Sequence, residues 1–319
     1  MGVAIIKENQ TQSKMDFWNM GIKILFLSQT TTGILGNFSL IIYYVVNYIV
    51  HTLKPTDLIL MHLMTSNALM VLSTGVLHTM AAFGLAHLLN DLGCRLILYI
   101  QRVGRSTSIG TICLLSIFQA ITISHRVSCY KGQKIKSSKY IGYSISLLWV
   151  LHMFLNFILF VDIFIKRNRN NMTSDRDFKY YSIVERNEFS DSLYVALVVC
   201  PEIFSSVLIT CSSGSMIGIL YRHKQRVQHI RSFHVSSRNS PEWRATQNIL
   251  VLVSTFLALY TLSSVLQGCI ALLNNPNWWL VNITRLTSLC FPTFAPCVLM
   301  SHYSFMPRFS LVWTWNKTS

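Results

Sequence analysis

Seven stretches of this chain are apolar and long enough, at about 20 helical residues each, to cross a hydrocarbon core. They run over Gly21–Tyr48, Thr56–Gly84, Cys94–Ser124, Tyr140–Ile165, Asp191–Leu220, Ala245–Leu273 and Trp278–Ser301. Lipid offers no water to backbone N–H and C=O groups, so each stretch must satisfy its own, and the alternating apolarity of a barrel strand is absent. The expected fold class is therefore all-α, a bundle of seven transmembrane helices. Composition agrees: 51% of the 319 residues are hydrophobic and 12% are charged, which is too apolar for a soluble domain.

The formal net charge of +15 does not form a nucleic-acid surface, because the basic residues sit in the gaps between apolar runs. Lys and Arg are retained on the cytoplasmic side during insertion, so their placement encodes topology. One alternating set of gaps holds Lys54, then Arg126, Lys131, Lys134, Lys136 and Lys139, then Arg222 to Arg244, with Glu242 almost the only acid. The gap after the fourth stretch is equally basic but also carries Asp175, Asp177, Glu185, Glu188 and Asp191. The best fit places the N-terminus outside and the C-terminus in the cytoplasm of a multi-pass plasma-membrane protein. Residues 1–20 then form an outer segment, 21–301 the membrane domain and 302–319 a short inner tail. A sequon at Asn171-Met172-Thr173 falls in an outward gap, making Asn171 a candidate glycosylation site. Met1 to Lys14 lacks the apolar core of a signal peptide, and Met15 offers a second start.

Local signals fit the same frame. Pro55 opens the second helix where its missing N–H costs nothing, with Asp57 in the favourable first turn. Ser240-Pro241-Glu242 repeats that arrangement before the sixth. The cluster Arg222, His223, Lys224, Arg226, His229 and Arg231 reads as about three helical turns. Pro292 and Pro296 fall inside the seventh stretch and are expected to kink it.

Sequence blocks between and within the helices point further. SQTTTGILGNFSL at Ser28–Leu40, LKPTDLIL at Leu53–Leu60, HTMAAFGL at His78–Leu85, NDLGCRL at Asn90–Leu96 and FQAITIS at Phe118–Ser124 stand in order. KYIG at Lys139–Gly142, DSLY at Asp191–Tyr194, LYRHKQRVQHI at Leu220–Ile230, SPEWRATQNILVLVSTF at Ser240–Phe256, NPNWWLVN at Asn275–Asn282 and APCVLMS at Ala295–Ser301 complete the set. In these blocks, from Met15 to Met300, the chain resembles the vomeronasal type-1 receptors, a pheromone-receptor class of G-protein-coupled receptors. The resemblance implies a seven-helix receptor with no cofactor, a small-molecule pheromone or odorant as ligand, and a heterotrimeric G protein of the inhibitory class as partner.

The departures are informative. Phe118-Gln119-Ala120 stands where rhodopsin-like receptors in general carry an acidic-Arg-Tyr triplet, an absence usual in the resembled family. The second helix lacks a mid-membrane Asp, His125 and Leu77 replace expected prolines, and no cysteine lies between Phe164 and Leu193. The family joins the cysteine matched by Cys94 to one in the second outer loop, where this chain has Tyr181 within Tyr180-Tyr181-Ser182. Cys200 is expected about nine residues, or ~14 Å, into its helix, beyond disulfide reach, and Cys129 falls on the opposite face. No disulfide is therefore expected.

Ionisable groups inside a membrane are expensive and mark candidate sites. Here they are Arg102 and Arg105 in the third helix, Glu202 in the fifth and Arg285 in the seventh, with His78 and His152 as weaker cases. Two readings stand side by side. Arg105, Glu202 and Arg285 line an outer-half pocket and orient a polar group on a mostly apolar ligand, or Glu202 pairs with one arginine while another snorkels. At the inner face Arg126, Arg222, Lys224 and Arg226 are candidate G-protein contacts, against topology and attraction of anionic membrane lipids as the plainer account. No HExxH, glycine-rich phosphate loop, nucleophile elbow or zinc spacing supports an enzyme. A transporter or channel would show internal symmetry and broken helices, and no convincing repeat is visible. A receptor-fold protein that has lost signalling is the other alternative.

Overall fold

A computed structural model describes residues 2–50, 54–82, 91–127, 137–170, 197, 200–230, 241–272 and 277–302. Among the described residues the regular structure is seven long helices. In chain order they are α1 (Gly2–Val50), α2 (Pro55–Ala82), α3 (Asp91–Val127), α4 (Ser137–Asn170), α5 (Cys200–Ile230), α6 (Pro241–Leu272) and α7 (Trp278–His302). Each expected stretch corresponds to one helix. Six of them are long and apolar enough to cross a membrane; α3, which carries Arg95, Arg102 and Arg105, is not in that set.

Two helices run past the apolar stretches read from the sequence: α1 begins at Gly2, ahead of Gly21, and α5 continues to Ile230, past Leu220. Hydropathy marks where lipid starts; hydrogen bonding decides where a helix stops. The expected start of α5 at Asp191 lies outside the described residues, apart from Leu197. Pro55 does open α2: the Lys54 carbonyl accepts from the amides of Asp57 at 3.0 Å and Leu58 at 3.2 Å. Pro241 likewise opens α6, and the Asn277 carbonyl takes the Val281 N–H at 3.2 Å to start α7.

The chain divides into two compact units, one of Met1–Tyr43, Asn67–Ile97 and Pro241–Ser319, the other of Tyr44–Ser66 and Leu98–Ser240. In the first, Phe256 meets Phe291 edge-on at 4.7 Å and stacks on Tyr260 at 5.3 Å, beside the fully buried Leu252, Val253 and Leu289. In the second, Ile59, Leu60, Leu63 and Met64 of α2, Ile112 and Leu115 of α3, and Ile209 and Met216 of α5 are fully buried.

Polar residues are carried into these helices by two devices. Exposed hydroxyls fold back on their own helix: Ser39 donates to the Leu35 carbonyl at 2.7 Å, Ser144 to Tyr140 at 2.9 Å and Thr261 to Leu257 at 2.7 Å. In lipid this back-bonding removes an otherwise unsatisfied donor. Interior amides cross between helices instead. Gln29 Nε2 donates to the Leu286 carbonyl at 3.1 Å, and Thr293 Oγ1 donates back to the Gln29 carbonyl at 3.3 Å.

The docking of α1 on α7 has a particular cause. Both Pro292 and Pro296 lie inside α7. Pro296 has no N–H, so the Pro292 carbonyl loses its helical donor. Asn37, fully buried on α1, supplies one: its Nδ2 donates to that carbonyl at 2.8 Å and to the Gly33 carbonyl at 2.7 Å. The approach requires small residues. A Cβ on Gly36 would lie 2.9 Å from Pro296 Cβ, and one on Gly33 would lie 3.1 Å from both Thr293 Oγ1 and Val71 Cγ1. Gly36→Ala is therefore expected to cost about 1–3 kcal/mol by overpacking against a rigid ring. Gly142→Ala, at a position with nothing within 4 Å, should gain roughly 0.5–1 kcal/mol from helix propensity. Thermal unfolding of the two purified variants checks this, and an unchanged midpoint for Gly36→Ala refutes the close-packing account.

Candidate functional site

The site is built on α3, α4 and α5 within one unit. α4 fixes the rotation of α3 along an antiparallel seam. Tyr99 OH donates to the Met153 carbonyl at 3.1 Å, and its ring meets Phe160 edge-on at 5.8 Å. Two turns further along α3, Asn156 Nδ2 donates to Ser106 Oγ at 3.3 Å and, within α4, to the His152 carbonyl at 2.8 Å. Gly110 then admits α4 closely, since a Cβ there would lie 2.7 Å from Leu148 Cδ1 and 2.9 Å from His152 Nε2.

With Ser106 and Gly110 committed to α4, the positions Arg102, Arg105, Ile109 and Ile112 form a separate stripe at helical spacing. Ile109 and Ile112 are buried. Arg105 reaches α5, where its Nε lies 3.4 Å from Glu202 Oε1, with the two side chains 16% and 19% exposed. Charges this far from water are tolerated when paired, and a guanidinium offers five donors of which a single carboxylate engages one or two.

The remaining candidates stand as follows. Arg102 is half-buried on α3, and Arg285 is half-buried on α7, in the other unit, where its carbonyl accepts from Ser288 Oγ at 2.7 Å. Arg222 is exposed on α5; Arg126, Lys224 and Arg226 have helical backbones, with side chains outside the described set. The His78 side chain, Asn171 and Tyr181 also lie outside the described residues. His152 is half-buried against the Gly110 gap. Cys94 lies half-buried near the start of α3, and Cys200 is a thiol, so the two are not joined. Among the described residues no three His, Cys, Asp or Glu side chains form a metal-holding group.

Sequence reasoning reached Arg105 and Glu202 because each is an ionisable group in an apolar run. It missed the α1–α7 joint of Gln29, Asn37, Pro292 and Thr293 and the Gly110 gap. The signal for the joint was present as Gly33 and Gly36, one turn apart beside a buried-type Asn, in one helix and two prolines four apart in another.

The ion pair gives a direct expectation for stability. Glu202→Ala alone should cost about 1–3 kcal/mol, less than a fully buried pair because both groups retain some exposure. Arg105→Met with Glu202→Leu should cost much less than the sum of the single changes. A double-mutant cycle on thermal stability that closes additively would refute direct coupling.

Comparison with known proteins places this architecture. The chain matches the vomeronasal organ pheromone receptor family over residues 20–311. It is 47% identical to human vomeronasal type-1 receptor 4 over 290 residues, covering 91% of this chain and 96% of the relative. It is 38% identical to human vomeronasal type-1 receptor 1 over 316 residues, covering 97% and 89%, and 29% identical to mouse vomeronasal type-1 receptor 51 over 292 residues, covering 88% of each. Among solved structures it superposes on squid rhodopsin with a TM-score of 0.68 over 95% of this chain and 87% of that one, at 14% identity, which establishes the rhodopsin-like seven-helix fold. The helices, their order and the matching sequence over nearly the whole length have one account: this chain belongs to the vomeronasal organ pheromone receptor family.

Proposed function

We propose that the chain is a chemosensory receptor of the plasma membrane that binds a small, mostly apolar chemosignal and activates a heterotrimeric G protein of the inhibitory class. The observation that carries the ligand site is the Arg105–Glu202 pair, charged chemistry held between α3 and α5 inside otherwise apolar helices. Arg285 on α7 is the third ligand-binding residue in this reading. The N-terminus lies outside, as the Lys and Arg distribution implies, and the pair then falls in the outer half of the membrane. Membership in the receptor family favours a receptor over a transporter, a channel or an enzyme.

Binding shifts the receptor between two arrangements only as far as the ligand prefers one of them. The G protein meets the inner end, to which Arg126, Arg222, Lys224 and Arg226 contribute. Residues 1–20 remain outside, 302–319 form the inner tail, and Asn171 carries glycan. No disulfide anchors the second outer loop, because Tyr181 occupies the position of the family cysteine.

A second reading takes Arg105–Glu202 as a purely structural pair, and the 3.4 Å contact favours it on its face. Ligand response separates the two. Arg105→Ala and Arg285→Ala, each at normal surface level, should weaken the response about tenfold or more in a G-protein readout, at roughly 1.4 kcal/mol per tenfold. Unchanged responses in both leave the pair structural and move the pocket elsewhere. Surface labelling of the intact chain beside Tyr181→Cys tests the missing loop cysteine: a receptor that signals only as the variant keeps the fold with compromised function.

A further inference from the structure

Hydroxyls further along α3 donate to carbonyls of their own helix: Thr111 to Thr107 at 2.7 Å and Ser116 to Ile112 at 2.9 Å. Ser106 departs from that pattern. Its Oγ accepts from Asn156 Nδ2 at 3.3 Å, and among the described residues its own hydrogen reaches no acceptor. Asn156 is held in one orientation, because its Nδ2 also donates to the His152 carbonyl at 2.8 Å. An amide turned over would set oxygen against oxygen there. Both Nδ2 hydrogens are therefore committed, and Oδ1 is left as an acceptor with no donor among the described residues.

The two groups keep access to open space. Ser106 is half-buried. Asn156 is only 4% exposed, yet its Oδ1 is not closed off, whereas Thr107 Oγ1, at the next position to Ser106, is sealed without a partner. Ser106 directly follows Arg105 in the chain, about 100° round the helix, so this face of α3 adjoins the face that carries the ion pair.

We propose that Ser106 and Asn156 form a hydroxyl-recognition subsite that selects a neutral ligand bearing an O–H group. This rests on the reading of Arg105 and Glu202 as part of a ligand site. A ligand hydroxyl accepts from the Ser106 O–H and donates to Asn156 Oδ1, which satisfies both. A ketone or ether can only accept, and leaves Oδ1 covered without a donor; a carboxylate sets its own lone pairs against it. Covering a polar atom without a partner costs more than a hydrogen bond returns, so the site discriminates chiefly by rejection. The Glu202 carboxylate balances the Arg105 charge, and the ligand need not supply a countercharge.

The test uses the purified full chain in nanodiscs and matched compounds on cyclooctyl, menthyl and decalinyl skeletons, each as alcohol, ketone, methyl ether and carboxylic acid. Binding is read as ligand-induced thermal stabilisation. On the skeleton that binds wild type best, the alcohol should act at roughly tenfold lower concentration than its ketone, ether or acid. Ser106→Ala and Asn156→Leu should each erase that gap. Ser144→Ala, which removes a hydroxyl bonded within α4, should keep it. Ketone or ether binding as well as the alcohol, no alcohol binding on any skeleton, or a gap retained in Ser106→Ala overturns the proposal. Preference for the acid assigns recognition to an arginine and overturns it too. Arg105→Ala separates this result from the reading beneath it: alcohol affinity unchanged there, but lowered in Ser106→Ala, refutes the ion pair as ligand site and keeps the subsite. Failure of the receptor reading shows instead as alcohol-selective binding with no G-protein nucleotide exchange.

Discussion

The Pro292 carbonyl is where the central constraint on this fold becomes specific. A chain in lipid must satisfy every backbone polar group from within, and two prolines four residues apart leave one carbonyl of α7 without its helical donor. Asn37 restores that bond from another helix. The repair works only if α1 approaches to backbone distance, which Gly33 and Gly36 allow and any larger side chain there would oppose. One missing N–H thus accounts for an Asn, two glycines and the seating of α1, and the bonds of Gln29, two turns earlier on α1, to Leu286 and Thr293 hold the same register.

The same accounting sorts the other polar residues. Exposed Ser and Thr close on their own carbonyls and ask nothing of neighbouring helices, which is why so many of them decorate α4, α5 and α6. Interior amides, having more donors than one helix can use, tie helices together. Charges cannot be satisfied by a carbonyl alone. Arg105 and Glu202 meet each other, while Arg222 and Arg226 stand on the part of α5 that continues beyond the apolar stretch ending at Leu220.

The number of helices, their order and their apolar extents were legible because a membrane span is an average over about 20 residues. Single contacts do not alter it. Boundaries were less legible, since the amphipathic or basic turns of α1 and α5 that continue beyond lipid carry no apolar signal. Arg105 and Glu202 stood out as charges in apolar runs, yet nothing in the sequence said that they meet, or that Arg285 lies in the other unit. Asn37 and Pro292 are 255 residues apart. The proline defect was visible, but which residue repairs it depends on the mutual rotation of two helices, a property no local pattern encodes.

The two ends of α3 differ in a way that bears on switching. Gln119, buried toward the C-terminal end of α3, is neutral where rhodopsin-like receptors in general carry an arginine, so this residue supplies no ionic restraint at that end. The described ion pair joining α3 to α5 lies instead toward the other end, at Arg105 and Glu202. Under the proposed site, a ligand group that engages either partner competes with the bond joining the two helices. Ligand and restraint then share the same atoms. A polar group that replaces the contact favours an arrangement in which the helices part, and one that bridges both charges favours the arrangement in which they stay together. The sign of the response follows from how the ligand uses the pair, and not from how tightly it binds.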